Sequence, residues 1–313
     1  MEKNSKIYVA GHRGLVGSAI VRNLKKKGYT NIIGRTHTEL DLTNQMAVAN
    51  FFKDERPDYV FLCAAKVGGI HINEIQPADF MYINLAIETN IINSAYATNI
   101  KKLLFMGSGC IYPRIVPQPI KEEYLLTAPL EKTNEAYAIA KIAGLKMCEF
   151  YNKQYGTNYI SVMPCNLYGP GDNYNPISSH VIPALIKKFH DAKISAAPSV
   201  MMWGTGTAKR EFLHIDDIAD ASVFLMENYN ENQWINIGCG EDMSIKELGE
   251  LIKHVVDFKG DIIFDPSYPD GTPRKLLDSS KLLSMGWKPQ ITLEEGLANT
   301  YKDYLINNKN YRQ

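Results

Sequence analysis

The stretch Ile7-Tyr8-Val9-Ala10-Gly11-His12-Arg13-Gly14-Leu15-Val16-Gly17 constrains the fold more than any other part of the chain. A short β-rich run passes through a glycine-marked turn into a helical pattern. That pattern ends at Lys25-Lys26-Lys27-Gly28, where cations and a glycine suit the carbonyl end of a helix. Glycines 11, 14 and 17 permit a tight turn, close approach of the backbone to a pyrophosphate, and packing of the helix on the strand. The helix N-terminus then faces the phosphates. Strand, glycine turn and helix in this order predict a dinucleotide-binding unit.

The alternation continues. Asn31-Ile32-Ile33-Gly34 reads as a second strand, Leu40-Asp41-Leu42 as a short buried strand end, and residues 44–53 as a helix. Residues 58–65 read as a strand of continuous apolar character, as in a parallel sheet covered on both faces. The small residues Ala64 and Ala65 at its end leave room for a cofactor. A long helix runs from Pro77 to about Asn99, and the strand Lys102–Met106 delivers Gly107-Ser108-Gly109-Cys110 at its carboxyl end, the edge that carries ligands in such sheets. Another strand, Tyr159–Met163, runs into Pro164-Cys165-Asn166-Leu167-Tyr168-Gly169-Pro170. Beyond it the pattern weakens. We read a helix from His180 to His190, one after Asp216-Asp217, a strand at 234–237, and helices from Ser244 and Leu293. The expected fold is α/β: a Rossmann-type doubly wound parallel sheet over 1–165 and about 205–238, with a smaller interleaved α/β substrate-binding unit from 166–204 and 239–313.

Cofactor choice is written at the end of the second strand. Arg35 stands where an acidic residue would bind a ribose 2′-hydroxyl, and an arginine favours a 2′-phosphate. Arg13 in the glycine turn is a second clamp, so NADP(H) is expected over NAD(H). The 34 basic and 34 acidic residues balance, which removes the electrostatic footprint of a nucleic-acid binder. Five scattered cysteines without a Cys-x-x-Cys spacing predict neither a disulfide framework nor a metal site. Neither a signal-peptide core nor a membrane-length apolar segment is legible, so a cytoplasmic location and no membrane partner are expected.

Tyr137 and Lys141 lie four residues apart in a run of helix formers and so share one helical face. A phenol has a reference pKa of about 10. Working as an acid or base near neutrality asks for a value lower by about 3, worth about 4 kcal/mol, and a neighbouring cation acts in that direction.

Taken together, the glycine turn, Ser108, Tyr137-x-x-x-Lys141 and Asn166-Leu167-Tyr168-Gly169-Pro170 resemble the extended short-chain dehydrogenase/reductase family of nucleotide-sugar enzymes. Ala64-Ala65-Lys66-Val67-Gly68-Gly69-Ile70, Cys110-Ile111-Tyr112-Pro113, Ser179-His180-Val181-Ile182-Pro183 and Arg210-Glu211-Phe212-Leu213-His214 carry the resemblance further. They are similar to motifs of members that epimerise C3 and C5 and reduce C4 of GDP-4-keto-6-deoxy-mannose with NADPH. The resemblance spans about residues 5 to 305.

The resemblance implies that Tyr137 gives a proton to the C4 oxygen while Ser108 hydrogen-bonds it, and that Lys141 holds the nicotinamide ribose and lowers the tyrosine pKa. Epimerisation needs proton exchange on two faces of a carbon, and it implies Cys110 and His180 for this. It places the cofactor on Gly11, His12, Arg13, Gly14, Leu15, Val16, Gly17, Arg35, Asp41, Leu42, Ala64, Ala65, Lys66, Met106, Gly107, Ser108, Tyr137, Lys141, Pro164, Asn166, Leu167 and His180. The GDP-sugar falls to Ser108, Cys110, Tyr137, Asn166, Lys188, Trp203, Arg210, Asp270 and Lys275. It further implies a homodimer formed through the long helices, about 78–99 and 134–155.

Two positions depart from the family pattern: Gly109, where a serine is expected, and Lys188, where an arginine is expected. Glycine loosens the loop and lysine gives up bidentate phosphate recognition. The exact sugar, a 6-deoxy-hexose or a 6-deoxy-heptose, and the retention of epimerisation stay open. A 4,6-dehydratase would have an acidic pair where this chain has Gly109-Cys110-Ile111, and a non-catalytic dinucleotide-binding protein would not need Ser108, Tyr137 and Lys141 together.

Overall fold

The computed structural model describes residues 1–307. The chain runs through β1 (Ile7–Ala10), α1 (Leu15–Lys26), β2 (Ile32–Ile33), α2 (Gln45–Glu55), β3 (Tyr59–Leu62), α3 (Ile70–Ile75), α4 (Pro77–Ala97), β4 (Lys102–Met106), α5 (Glu135–Tyr155) and β5 (Tyr159–Pro164). It continues with β6 (Asn166–Tyr168), α6 (Val181–Ile194), β7 (Ser199–Trp203), β8 (Lys209–His214), α7 (Ile215–Asn228), β9 (Ile235–Ile237), β10 (Asp242–Ser244), α8 (Ile245–Val256), β11 (Asp261–Asp265), β12 (Arg274–Lys275), α9 (Ser280–Ser284) and α10 (Leu293–Asn307).

The main sheet is parallel throughout, in the order β2-β1-β3-β4-β5-β9. β1, β3, β4 and β5 are buried along their whole length, as their unbroken apolar sequences require. One face packs on α1 and α7 through Ile20, Leu24, Ile218 and Val223. The other packs on α2, α4 and α5 through Phe52, Ile91, Ile92 and Leu145. The order reverses between β1 and β3. The carboxyl ends of these two strands therefore open the crevice in which doubly wound sheets bind ligands.

Smaller sheets lie over that edge. β8 pairs with β10, β12 and β6, and β7 pairs with β11. A separate apolar cluster of α6, α8 and α10, including Ile186, Phe189, Ile252 and Tyr304, backs them. β8 thus joins the small sheet, although the sequence pattern groups 205–238 with the main unit; α7 packs on the main sheet and β9 is its edge strand. Leu282 and Trp287 return the late chain to the main core. Residues 308–313 of the expected second unit lie outside the described residues.

Two local readings change. Leu40–Leu42 forms no strand, because Asp41 Oδ1 accepts from the Thr43 amide (2.9 Å) and hydroxyl (2.8 Å) and closes a turn before Asn44 caps α2. α7 starts at Ile215, ahead of the acidic pair, which sits in its first turn where negative charge meets the positive end of the helix dipole. No helix among the described residues is long and apolar enough to cross a membrane.

Candidate active site

The turn after β1 is shaped for close contact. Gly11 has φ +84°, and a Cβ there would stand 2.8 Å from the Ala64 amide nitrogen at the end of β3. A Cβ on Gly17 would stand 2.2 Å from the Gly11 carbonyl oxygen. α1 begins without a side-chain cap and without an acidic residue in its first turn, so its N-terminal amides are left for an anion. These features fit the pyrophosphate of a dinucleotide.

The cation at the end of β2 is engaged. Arg35 pairs with Glu55 of α2 at 2.5 Å and lies over the Phe51 ring. Glu55 also pairs with Lys6 at 3.2 Å. Arg13 is exposed at the turn and makes no ion pair among the described residues. The two arginines read alike in sequence but differ in availability. The His12 ring packs over Gly34, where a Cβ would meet it at 2.4 Å. Lys66 turns its ammonium toward Gln76 (2.8 Å) and Asp79 (3.2 Å), and its backbone amide and carbonyl are both bonded to the Asn84 side chain of α4. Met106 and Pro164 end β4 and β5, Gly107 follows β4, and Asn166 and Leu167 open β6 just past β5.

Tyr137 sits in the first turn of α5, its ring edge-on to Phe80 at 6.2 Å. Lys141 lies one turn on and is almost fully buried. Its Nζ pairs with Glu88 of α4 at 3.0 Å, donates to the Met106 carbonyl at 3.1 Å, and stands 6.0 Å from the Tyr137 ring centre. This corrects the expectation that Lys141 lowers the tyrosine pKa. Burial is the main influence and raises it, the charges of Cys110 and Glu88 act the same way, and a hydrogen bond with Ser108 opposes them. The phenol therefore holds its proton at neutral pH, which is the form that can protonate an alkoxide.

Ser108 and Cys110 occupy a 3-10 turn at the end of β4, and Ser108 Oγ accepts from the Cys110 amide at 3.2 Å. β12 runs beside β8 so that Lys275 registers with Arg210, and Lys275 Nζ reaches Cys110 Sγ at 3.7 Å. Burial pushes the thiol up, but Lys275, Ser108 and Arg210 outweigh it and the net pKa is lowered. His180 is the N-terminal flanking residue of α6, yet its side chain makes no capping bond, and it remains exposed. The loop before it is tied to the β3–α3 connection by the Gly69 amide donating to the Ser178 carbonyl at 3.1 Å. A Cβ on Gly69 would stand 2.5 Å from the Ser179 oxygen, which accounts for the paired glycines at 68 and 69.

The expected GDP-sugar contacts divide. Trp203 is half exposed, stacks flat on Tyr268 at 4.4 Å and carries the Lys188 ammonium 4.7 Å over its ring, an open aromatic and cationic surface. Arg210 donates to the Lys209 and Asp270 carbonyls and lies within the field of Cys110. Asp270 is used internally: it accepts from the Thr205 amide and hydroxyl, both at 2.8 Å. Asn166 donates to the Glu211 carbonyl at 3.0 Å. Two further residues join the site without being expected there, Glu88 and Tyr268, and the buried Oδ1 of Asn134, three residues before Tyr137, has no partner among the described residues. Glu88 was legible as the one charge on the buried Asn84, Ile87, Glu88, Ile91 stripe of α4.

This crevice and sheet order define a class, and the chain belongs to the NAD dependent epimerase/dehydratase family, whose profile matches residues 7–238. Within that class it is similar to GDP-L-fucose synthases. It is 58% identical to GDP-L-fucose synthase 1 of Arabidopsis thaliana over 98% of this chain and 95% of that protein. It is 53% identical to the GDP-L-fucose synthase of Escherichia coli (strain K12) over 98% of each. A solved GDP-mannoheptose C4 reductase from Campylobacter jejuni with NADP bound superposes with a TM-score of 0.89 at 45% identity, covering 97% of this chain and 99% of that one.

Proposed function

We propose that this protein converts GDP-4-keto-6-deoxy-D-mannose to GDP-L-fucose by 3,5-epimerisation and NADPH-dependent reduction at C4. The observation that carries this reading is the convergence of Tyr137 from α5, hydrogen-bonded to Ser108, with Ser108 and Cys110 at the end of β4, where the phenol pKa is raised and the thiol pKa lowered. NADPH, when bound, supplies the hydride that reaches C4. Ser108 and Tyr137 donate to the C4 oxygen, stabilising the enolate during epimerisation and the alkoxide during reduction, and Tyr137 gives up its proton in the second case. The C4 ketone acidifies the protons on C3 and C5. Cys110 removes a proton from one face and His180 exchanges one on the other.

Lys141 orients the nicotinamide ribose, and the arginines at 13 and 35 select the 2′-phosphate. Lys188, Trp203, Arg210 and Lys275 hold the GDP-sugar, with Asn166 and Asp270 fixing the walls. Exposed Tyr82, Ile139, Phe150 and Tyr155 on α4 and α5 support a homodimer through those helices, checked by sedimentation. Five free cysteines favour the reducing cytoplasm.

Product NMR after incubation with GDP-4-keto-6-deoxy-mannose and NADPH tests the reading, with GDP-L-fucose expected. A second reading, a C4 reductase of a GDP-4-keto-heptose, is favoured by Gly109, Lys188 and the likeness to a GDP-mannoheptose C4 reductase. Deuterium exchange at C3 and C5 in D2O without NADPH separates the two; an absence of exchange overturns the epimerase half.

A further inference from the structure

We propose that Glu88 is a positioning residue for the reduction: from the buried interface of α4 and α5 it fixes the Lys141 ammonium so that one N–H is left for the reacting side. The inference rests on the reductase reading above. An ammonium has three donors. The Lys141 Nζ pairs with Glu88 Oε1 at 3.0 Å and donates to the Met106 carbonyl at 3.1 Å, which engages two of its directions. The third is free to point toward the edge that carries Tyr137 and the cofactor ribose. With one contact from α4 and one from the end of β4, the lysine is held by two elements of the scaffold and not by its own helix.

The pairing is not that of a carboxylate kept for architecture. Glu211, the other fully buried glutamate, accepts from the Gly240 amide at 2.7 Å and the Leu277 amide at 3.0 Å. Neither Glu88 oxygen has a hydrogen-bond donor among the described residues apart from its ion pair with Lys141, though both oxygens are sealed from solvent. Such a group is costly to bury, and its retention is explained if Lys141 is what it serves. The backbone makes room for it. A Cβ on Gly144, one turn beyond Lys141, would stand 2.6 Å from Glu88 Oε2. The titratable groups facing the pair are Tyr137 and Cys148 on α5 and Cys63 after β3, and burial raises all three. The pair therefore sits among uncharged neighbours, and Glu88 is the sole counter-charge in contact with Lys141 among the described residues.

The test compares Glu88→Gln, Lys141→Met and the double variant. Glu88→Gln keeps the shape and removes the charge. The expected result is a reduction rate about 10–100-fold lower with a several-fold weaker NADPH Kd by fluorescence titration, while deuterium exchange at C3 and C5, which uses Cys110 and His180, stays within about threefold of wild type. In the double variant the reduction rate should match that of Lys141→Met alone, because Glu88 acts through that lysine. Losses that multiply in the double variant, or exchange that falls in step with reduction, would overturn the inference. Should the glutamine variant fail to fold, Glu88→Asp keeps the charge on a shorter stem: an intermediate reduction rate supports the assignment, and a wild-type rate overturns it. If wild-type protein reduces no GDP-4-keto sugar, the functional reading fails on its own, and the NADPH titration still decides whether Glu88 positions Lys141.

Discussion

Two lysines stand behind two acids of this site, and they act differently because of what else they touch. Lys141 is paired with buried Glu88, and burial, not the lysine, governs Tyr137, so the phenol stays protonated. Lys275 has no carboxylate partner among the described residues, and it draws the Cys110 thiol toward thiolate from 3.7 Å. The two results match the two jobs. Reduction needs a group that enters with its proton, whereas epimerisation begins with a group that has lost one. A cation near an acid thus predicts the direction of a pKa shift only after its own counter-ion is counted.

The largest effect that can break this division comes from Tyr137→Phe. NADPH oxidation in the presence of the keto-sugar should fall about 10²–10⁴-fold, while exchange at C3 and C5 persists at a reduced rate. Complete loss of exchange in this variant would mean the two sides are one machine. Cys110→Ala is its mirror. Exchange should fall about 10²–10⁴-fold with NADPH binding intact. Rapid exchange in that variant would move the base elsewhere.

Lys275→Met sharpens the same contrast through pH. Exchange depends on thiolate, so its rate rises as pH climbs through the Cys110 pKa. The lysine lowers that pKa; removing it raises the pKa and carries the acid limb to higher pH. A charge pair near 4 Å is worth about 1 kcal/mol in water and more near protein, so exchange measured on the limb should drop roughly tenfold. At high pH the variant should recover toward the wild-type rate. A limb that stays in place would show that Lys275 holds substrate and leaves the thiol alone.

What could be read from the sequence follows the same line between local and assembled features. The glycine turn, the buried parallel strands and the Tyr137–Lys141 spacing are properties of short continuous stretches, and each lies where its pattern says. The carboxyl-edge placement of Ser108 and Cys110 followed from strand order alone. The pairings of these cations with their counter-ions were not legible. Glu88 is 53 residues from Lys141 and Glu55 is 20 from Arg35, and no short-range pattern couples them. Lys275 reaches Cys110 only because β12 registers against β8, a pairing between segments whose periodicity is weak. Asp41 misled for a related reason: its apolar neighbours resemble a strand, but its carboxylate closes a turn onto Thr43.

The arginines of the dinucleotide turn extend the comparison and carry the smallest effect. Arg35 is held by Glu55, which it shares with Lys6, as Lys141 is held by Glu88, whereas exposed Arg13 resembles Lys275 in having no carboxylate partner among the described residues. Glu55→Gln should release Arg35 toward a 2′-phosphate and raise the NADPH-over-NADH ratio of kcat/KM. Because Arg35 and Glu55 are partly exposed, their ion pair is worth at most about 1 kcal/mol, which corresponds to a gain of about two- to fivefold. Arg13→Ala should lower the ratio by more, since no counter-ion competes for that guanidinium. A ratio that responds to Arg35→Ala as strongly as to Arg13→Ala would show that the cofactor phosphate displaces Glu55 at no cost, and that a counter-ion decides the strength of a cation only when both are buried, as Glu88 and Lys141 are.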